Sequence, residues 1–341
     1  MINIIIITFL IFFINFFLKK KNWLCSYTGN QHQRFANKEN IPLSGGFFLL
    51  LVIYLTFDNF GIYFYVSIQF LFLIGIFSDL DIIKSPNKRF ILQILIILFF
   101  IIFTNLAIES TRIFAVDYLL QNQIFNYLFV LFCIAIIVNG NNFLDGLNTL
   151  VLGYYLSVLF IIYYLNLNET IDIDDSKFIN FLFIILILFI FNFFNKLFLG
   201  DSGAYLVGFS LGIILIKISL INQNISPFFI LHLLWYPGFE NLFSIIRKIL
   251  IGKSPLKPDK NHLHQLLYSF IEKKSNSKSY FVNSLSAQLI ILYNIIIFLI
   301  AAQNIYSTQY QILLILFNLM IYLVVYLRLF YLKFKGRAVL W

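Results

Sequence analysis

The feature that most constrains this chain is a series of apolar runs rich in Phe, Ile and Leu. Each is about the 17–25 residues that a helix needs to cross a hydrocarbon core. Short polar stretches separate the runs, whereas strands of a membrane barrel would alternate apolar and polar residues. Hydrophobic residues make up 61% of the chain and charged residues 11%, which excludes a soluble domain and a disordered one. The expected fold is all-α: a polytopic integral membrane protein of about 10–11 helices. The spans are predicted near residues 2–18, 44–58, 60–78, 91–107, 124–139, 148–166, 178–194, 204–221, 227–246, 284–301 and 309–327.

The first run has no basic segment before it and no small-residue cleavage site, and Lys19, Lys20 and Lys21 follow it. It therefore reads as a span with its N-terminus outside rather than as a signal peptide. Alternation then puts residues 19–43, 79–90, 140–147, 195–203, 247–283 and 328–341 on the inner face. Those segments hold 21 of the 24 Lys and Arg residues, leaving only Arg112, Lys177 and Lys217 elsewhere. This is the positive-inside bias. The acidic loop with Glu169, Asp172, Asp174 and Asp175 falls outside. The net charge of +9 is an orientation signal and an attraction to anionic lipid, so no nucleic-acid partner is expected. Cys25 and Cys133 lack metal-ligand spacing and read as unpaired small hydrophobes. No internal repeat is visible, so 1–341 reads as a single domain with a motif-bearing core of about 30–270.

Five polar clusters lie on the inner face, where ionisable groups beside apolar spans are costly unless paired or used. The first is HQRFANKENIPLSGG at 32–46, either a basic juxtamembrane loop with a helix-start glycine pair or part of a site. The second is Ser78, Asp79, Leu80 and Asp81, followed by Lys84, Lys88 and Arg89. It can bind metal and phosphate or serve as a solvated cap. The third is NGNNFLDGLNTL at 139–150, with more side-chain amides than a structural turn needs and the groups to bond a nucleobase, ribose or sugar.

The fourth cluster is Gly200, Asp201, Ser202 and Gly203, with Asn192 and Lys196 just before it. Backbone amides at a helix start suit phosphate, and a lone carboxylate suits a Mg²⁺ ion that keeps waters and substrate oxygens. The fifth runs from Pro258 and Asp259 to His262, His264 and Gln265. Its histidines can donate to a pyrophosphate. A zinc site is the rival, but only His32 and His232 remain elsewhere and neither cysteine is placed to help. The combined inventory suits phosphoryl transfer from a nucleotide-activated donor, with a metal and cations neutralising charge.

These motifs resemble, over about residues 30–270, the polyprenyl-phosphate N-acetylhexosamine-1-phosphate transferases. Gly45 and Gly46 look like that family's early double glycine, and Lys38 sits where it has a substrate-binding lysine. Its paired aspartates fall on Ser78 and Asp79. Its asparagine- and aspartate-rich motif falls on Asn139, Asn142, Asp145 and Gly146, with Asn148 and Thr149 in place of a second aspartate and glycine. Asp201 matches the aspartate that the resemblance implies is the Mg²⁺ ligand. His262 and His264 match the histidine motif, with Gln265 in place of its next histidine. The His-Leu-His form looks more like the GlcNAc-type branch than the phospho-MurNAc-pentapeptide translocase.

The resemblance implies that undecaprenyl phosphate attacks a UDP-N-acetylhexosamine, releasing UMP and starting a lipid-linked surface polysaccharide or cell-wall glycan. The implied setting is the cytoplasmic face of a bacterial inner membrane, among membrane lipids, with a homodimer allowed. The cofactor expected is Mg²⁺, or Mn²⁺ in its place. Asp201 and Asp79 would hold it, with Asp79 or Asp145 orienting acceptor or donor. His262 and His264 would hold the pyrophosphate or stabilise leaving UMP, and Asn139, Asn142, Asn148 and Asn192 would read nucleoside or sugar. Rival readings are a transporter, against which the scarcity of charges within the spans argues, and a catalytically idle partner protein.

Overall fold

The computed structural model describes residues 2–25, 41–57, 60–168, 170, 175–255, 259–275 and 279–335. Lys38 lies outside the described residues, as do Pro258 and Glu169, Asp172 and Asp174 of the acidic loop. Among the described residues there are fourteen α-helices and no strand. They are α1 (Ile2–Lys21), α2 (Gly45–Thr56), α3 (Ile62–Asp79), α4 (Pro86–Thr104), α5 (Phe114–Leu120), α6 (Gln123–Leu144) and α7 (Leu150–Leu167), then α8 (Asp175–Phe193), α9 (Gly200–Ile221), α10 (Pro227–Leu233), α11 (Trp235–Leu250), α12 (Leu263–Lys274), α13 (Ser279–Ala301) and α14 (Thr308–Phe334).

Seven of these, α3, α4, α6, α7, α9, α13 and α14, are long and apolar enough to cross a membrane, and α10 with α11 makes an eighth. The shorter apolar helices α2 and Phe178–Phe193 of α8, together with α1, fall on the remaining expected spans. The protein is a polytopic helical membrane protein.

Helix ends follow local chemistry. Ser85 accepts from the Lys88 amide at 3.4 Å with Pro86 at the first helical position, which starts α4. Asn122 does the same for α6, accepting from Phe125 N at 3.0 Å. Helix α9 is the hub, packed against α2, α3 and α6, with 78% of its span buried against 22% for the peripheral α4 and α14. Phe209 of α9 meets Phe64 at 6.0 Å and Phe100 at 5.2 Å between ring centroids, joining α3 and α4 to that hub.

Three expectations need correction. The third polar cluster is not simply a loop between spans, because α6 continues to Leu144 and carries Asn139 and Asn142 on its last two turns. Residues 247–283 are not all loop either, since α12 forms within them. The span expected at 227–246 breaks at Leu234 by 75°. Proline explains the break: Pro237 has no amide hydrogen for the Leu233 carbonyl four residues back. That carbonyl instead accepts from Tyr154 Oη at 2.8 Å.

The polar segments gather at one end of the bundle. Gly45 N donates to Phe198 O at 2.9 Å, tying the start of α2 to the start of α9. There the two glycines permit close approach: a β-carbon on Gly45 would lie 2.7 Å from Leu199 Cα, and one on Gly46 2.6 Å from Gly203 N. Lys333 Nζ, near the end of α14, donates to Lys260 O at 2.7 Å. At the opposite end, Arg112 donates to the carbonyls of Tyr306 and Asn224, both at 2.8 Å, and closes the loops there.

Candidate active site

Asp201 occupies the first turn of α9, and Asp79 the last turn of α3. Asp79 caps α9: its Oδ1 accepts from Asp201 N at 2.8 Å, and its Oδ2 from Ser202 Oγ at 2.9 Å and Ser202 N at 3.3 Å. The chain enters that cap through Gly200 at φ +73°, where a β-carbon would fall 2.7 Å from Asp79 Oδ2. Only glycine suits both the left-handed backbone and the contact.

The Asp201 carboxylate points away from its helix into three donors. Oδ1 accepts from Asn142 Nδ2 at 2.6 Å. Oδ2 accepts from Ser78 Oγ at 2.5 Å and pairs with Arg89 Nη1 at 2.7 Å. Arg89 also donates to Ser78 Oγ. Ser78, which replaces a carboxylate in the resemblance, thus joins Arg89 to Asp201.

Asp145 caps the end of α6 and accepts a hydrogen bond from the Gly200 amide. Burial first, and then the charges of Asp201 and Asp79, hold its pKa well above the ordinary carboxylate range, and the Gly200 amide opposes that rise only partly. Three carboxylates therefore share one small region with Arg89 as a pairing cation.

The turn at 145–149 extends this region toward the histidines. A β-carbon on Gly146 would lie 3.0 Å from His264 Nε2. His264 is fully buried and neither ring nitrogen has a hydrogen-bond partner among the described residues. Its pKa is pushed down to about 3, by burial first and then by His262, against the pull of Glu240. The ring is therefore neutral at physiological pH. His262 stacks on it at 5.6 Å and packs against Phe143 at 5.1 Å between ring centroids. Ahead of them, Asp259 forms an ion pair with Arg247 and accepts from Lys260 N at 2.7 Å. Burial favours its neutral form, but Arg247 and His262 outweigh that and leave its pKa lowered.

The remaining amides divide. Asn139 faces its own helix, donating to Ala135 O at 2.9 Å. Asn148 and Asn192 are buried and pin the turn: Asn148 N donates to Asn283 Oδ1 at 2.8 Å, and its side chain donates to Asn195. Asn192 accepts from Thr149 N and donates to Leu197 O at 2.8 Å. The structure thus brings together Asp79, Asn142, Asp145 and Asp201, with His264 against the turn. Asn139, Asn148 and Asn192 make hydrogen bonds within the fold. Arg89 and Glu240 were missed as site residues, although a lone glutamate inside an apolar span was a visible signal.

The site is one a membrane-bound phosphotransferase can use: clustered carboxylates, a cation, a helix N-terminus and neutral histidine at one end of a helical bundle. Residues 61–219, which carry Asp79, Arg89, Asn142, Asp145 and Asp201, match the sequence model of glycosyl transferase family 4. The chain is 37% identical over 84 residues to a decaprenyl-phosphate N-acetylglucosaminephosphotransferase of Mycolicibacterium smegmatis, an alignment covering 21% of each protein. It is 26% identical over 276 residues to an undecaprenyl-phosphate alpha-N-acetylglucosaminyl 1-phosphate transferase of Thermotoga maritima, covering 79% of this chain and 81% of the relative. A similarly named Escherichia coli O157:H7 protein is 26% identical over 240 residues, 67% of this chain and 65% of the relative. With the mycobacterial relative and others of comparable identity, the alignment spans only about a fifth of the relative's length.

Proposed function

We propose that this protein transfers N-acetylhexosamine-1-phosphate, from UDP-GlcNAc or a close UDP-sugar, to undecaprenyl phosphate. An oxygen of the acceptor phosphate forms a bond to the donor's β-phosphorus. The bond from that phosphorus to the bridging oxygen breaks, and UMP leaves with the electron pair. The acceptor needs little help from a base, because a phosphomonoester with a second pKa near about 6 is largely dianionic at neutral pH. The reading rests on one observation above all: at the start of α9 the Asp201 carboxylate pairs with Arg89 at 2.7 Å and accepts from Asn142 at 2.6 Å, while Asp79 caps the same turn.

That donor set fits Mg²⁺, since three neighbouring carboxylates carry more negative charge than Arg89 balances. Among the described residues no three His, Cys, Asp or Glu side chains form a ready metal cage. An ion would take Asp201 and Asp145 and complete its shell from water and phosphate oxygens, as Mg²⁺ commonly does. Both oxygens of Asp79 serve the α9 cap, which gives Asp79 a positioning role. Bound there, the ion supplies charge neutralisation at the transferring phosphoryl group. Arg89 releases Asp201 to meet the donor's phosphates, Asn142 keeps the Asp201 carboxylate aimed, and His262 faces the leaving UMP. The site belongs on the cytoplasmic side of a bacterial inner membrane, where soluble donor meets lipid acceptor, as a first step toward a surface or cell-wall glycan.

The test is a UMP-release assay with undecaprenyl phosphate, Mg²⁺ and a panel of UDP-sugars. Wild-type protein releases UMP with a UDP-N-acetylhexosamine, and Asp201→Asn loses at least about 100-fold of that rate. Normal turnover by the variant sinks the assignment of the site, and no release by wild-type protein with any donor sinks the activity.

A further inference from the structure

We propose that Glu240, buried beyond the break in the α10–α11 pair, is the residue that positions His262 for phosphoryl transfer. This rests on the activity proposed above. Glu240 is 1% exposed, and an anion so deeply buried persists only when it is fully paired. Its Oε1 lies 3.0 Å from His262 Nδ1 and accepts from Leu263 N at 3.2 Å. Its Oε2 accepts from Tyr322 Oη at 2.6 Å. One carboxylate thus ties the first turn of α12 to α14, a helix outside the matched 61–219 region.

The consequence for His262 is a fixed tautomer. A hydrogen bond from Nδ1–H to the carboxylate leaves Nε2 as the nitrogen available to substrate. Phe143 and His264 flank the ring, so its orientation is fixed as well. Phe143 stands two residues before Asp145, so the ring packs against the end of α6. His264 does not duplicate this role, since its carboxylate contact is absent from the bonds of the described residues and its ring is fully buried. The charged and titratable groups around His262 are Glu240 from α11, His264 from α12, Asp259 from the preceding loop with its partner Arg247, and Tyr322 from α14 acting through Glu240.

Glu240 lies on the far side of the break: α11, which carries it, leaves the line of α10 by 75° at Leu234. The buried polar residues Glu240, Ser244 and Lys248 then recur every fourth position on one face of α11.

The experiment uses full-length protein with UDP-GlcNAc, undecaprenyl phosphate and Mg²⁺. Glu240→Gln lowers kcat about 10–100-fold while KM for the donor stays within about threefold. Tyr322→Phe lowers kcat in the same direction by less, and it replaces Glu240→Gln as the decisive variant if the latter does not fold. The double variant Glu240→Gln, His262→Gln is no slower than His262→Gln alone, since both act through one ring. Unchanged kcat in the single variants, or losses that multiply in the double one, overturn the proposal. Histidine-selective ¹⁵N NMR keeps the test separate from the activity: wild-type His262 carries its proton on Nδ1, and Glu240→Gln loses that preference. If wild-type protein releases no UMP, the activity fails while this spectrum still decides whether Glu240 sets the ring.

Discussion

Asp145 carries a carboxylate whose ionisation the fold opposes, through burial and through the charges of Asp201 and Asp79. A carboxyl group with a raised folded-state pKa stabilises the fold through its protonated form. That contribution is complete below the unfolded value of about 3.9 and disappears as pH rises through the higher folded value. Asparagine avoids the loss at every pH. Asp145→Asn should therefore unfold at a higher temperature than wild type at pH 8 without divalent cations, with an advantage that shrinks toward pH 4, while UMP release falls about 100-fold or more. Mg²⁺ should narrow the gap by stabilising wild type alone. Thermal unfolding by intrinsic fluorescence reads this directly, and a variant less stable than wild type at pH 8 contradicts it. Sequence exposed Asp145 and Asp201 because carboxylates beside glycine and asparagine at span ends have few structural uses. It did not expose Arg89, whose pairing with Asp201 crosses 112 residues and looks from sequence like one more inner-face cation.

The start of α9 shows how an element can hold a site. Its capping carboxylate comes from Asp79 on α3, across a connection of more than a hundred residues, and the glycine at φ +73° exists to let that carboxylate approach. Gly200→Ala loses about 1 kcal/mol to backbone strain and about 1 kcal/mol more when the cap is displaced, roughly 2 kcal/mol together. Activity should fall further than stability, because the turn that moves also aims Asp201. Denaturation midpoints and UMP release measured on the same preparation check both, and a variant matching wild type in each removes the structural role given to Gly200. The glycine and aspartate of this turn were legible as a helix start. The partner at Asp79 was not, because capping across helices leaves no spacing signal. The bend at Leu234 had a signal in Pro237, but an apolar run of span length concealed it.

At the scale of the whole molecule, the polar segments selected by charge counting meet at one end of the bundle. Contacts between the starts of α2 and α9, the turn at 145–149 and α13, and the end of α14 and residues 260–261 all lie there. Hydropathy and lysine placement were sufficient for this, because alternation of spans leaves little freedom once the run lengths are known. The cation bias sets the expectation for which end faces the cytoplasm, and that expectation is open to direct measurement. With Cys25 and Cys133 replaced, a single cysteine at Lys253, exposed at the site end, should react with a membrane-impermeant maleimide in inverted vesicles and stay unlabelled in intact spheroplasts. A cysteine at Gln121, exposed between α5 and α6 at the other end, should give the reverse pattern. Labelling of Lys253→Cys from outside the cell would put the carboxylate cluster where no cytosolic nucleotide sugar reaches it. The proposed reaction would then lose its donor, whatever the local geometry of Asp201.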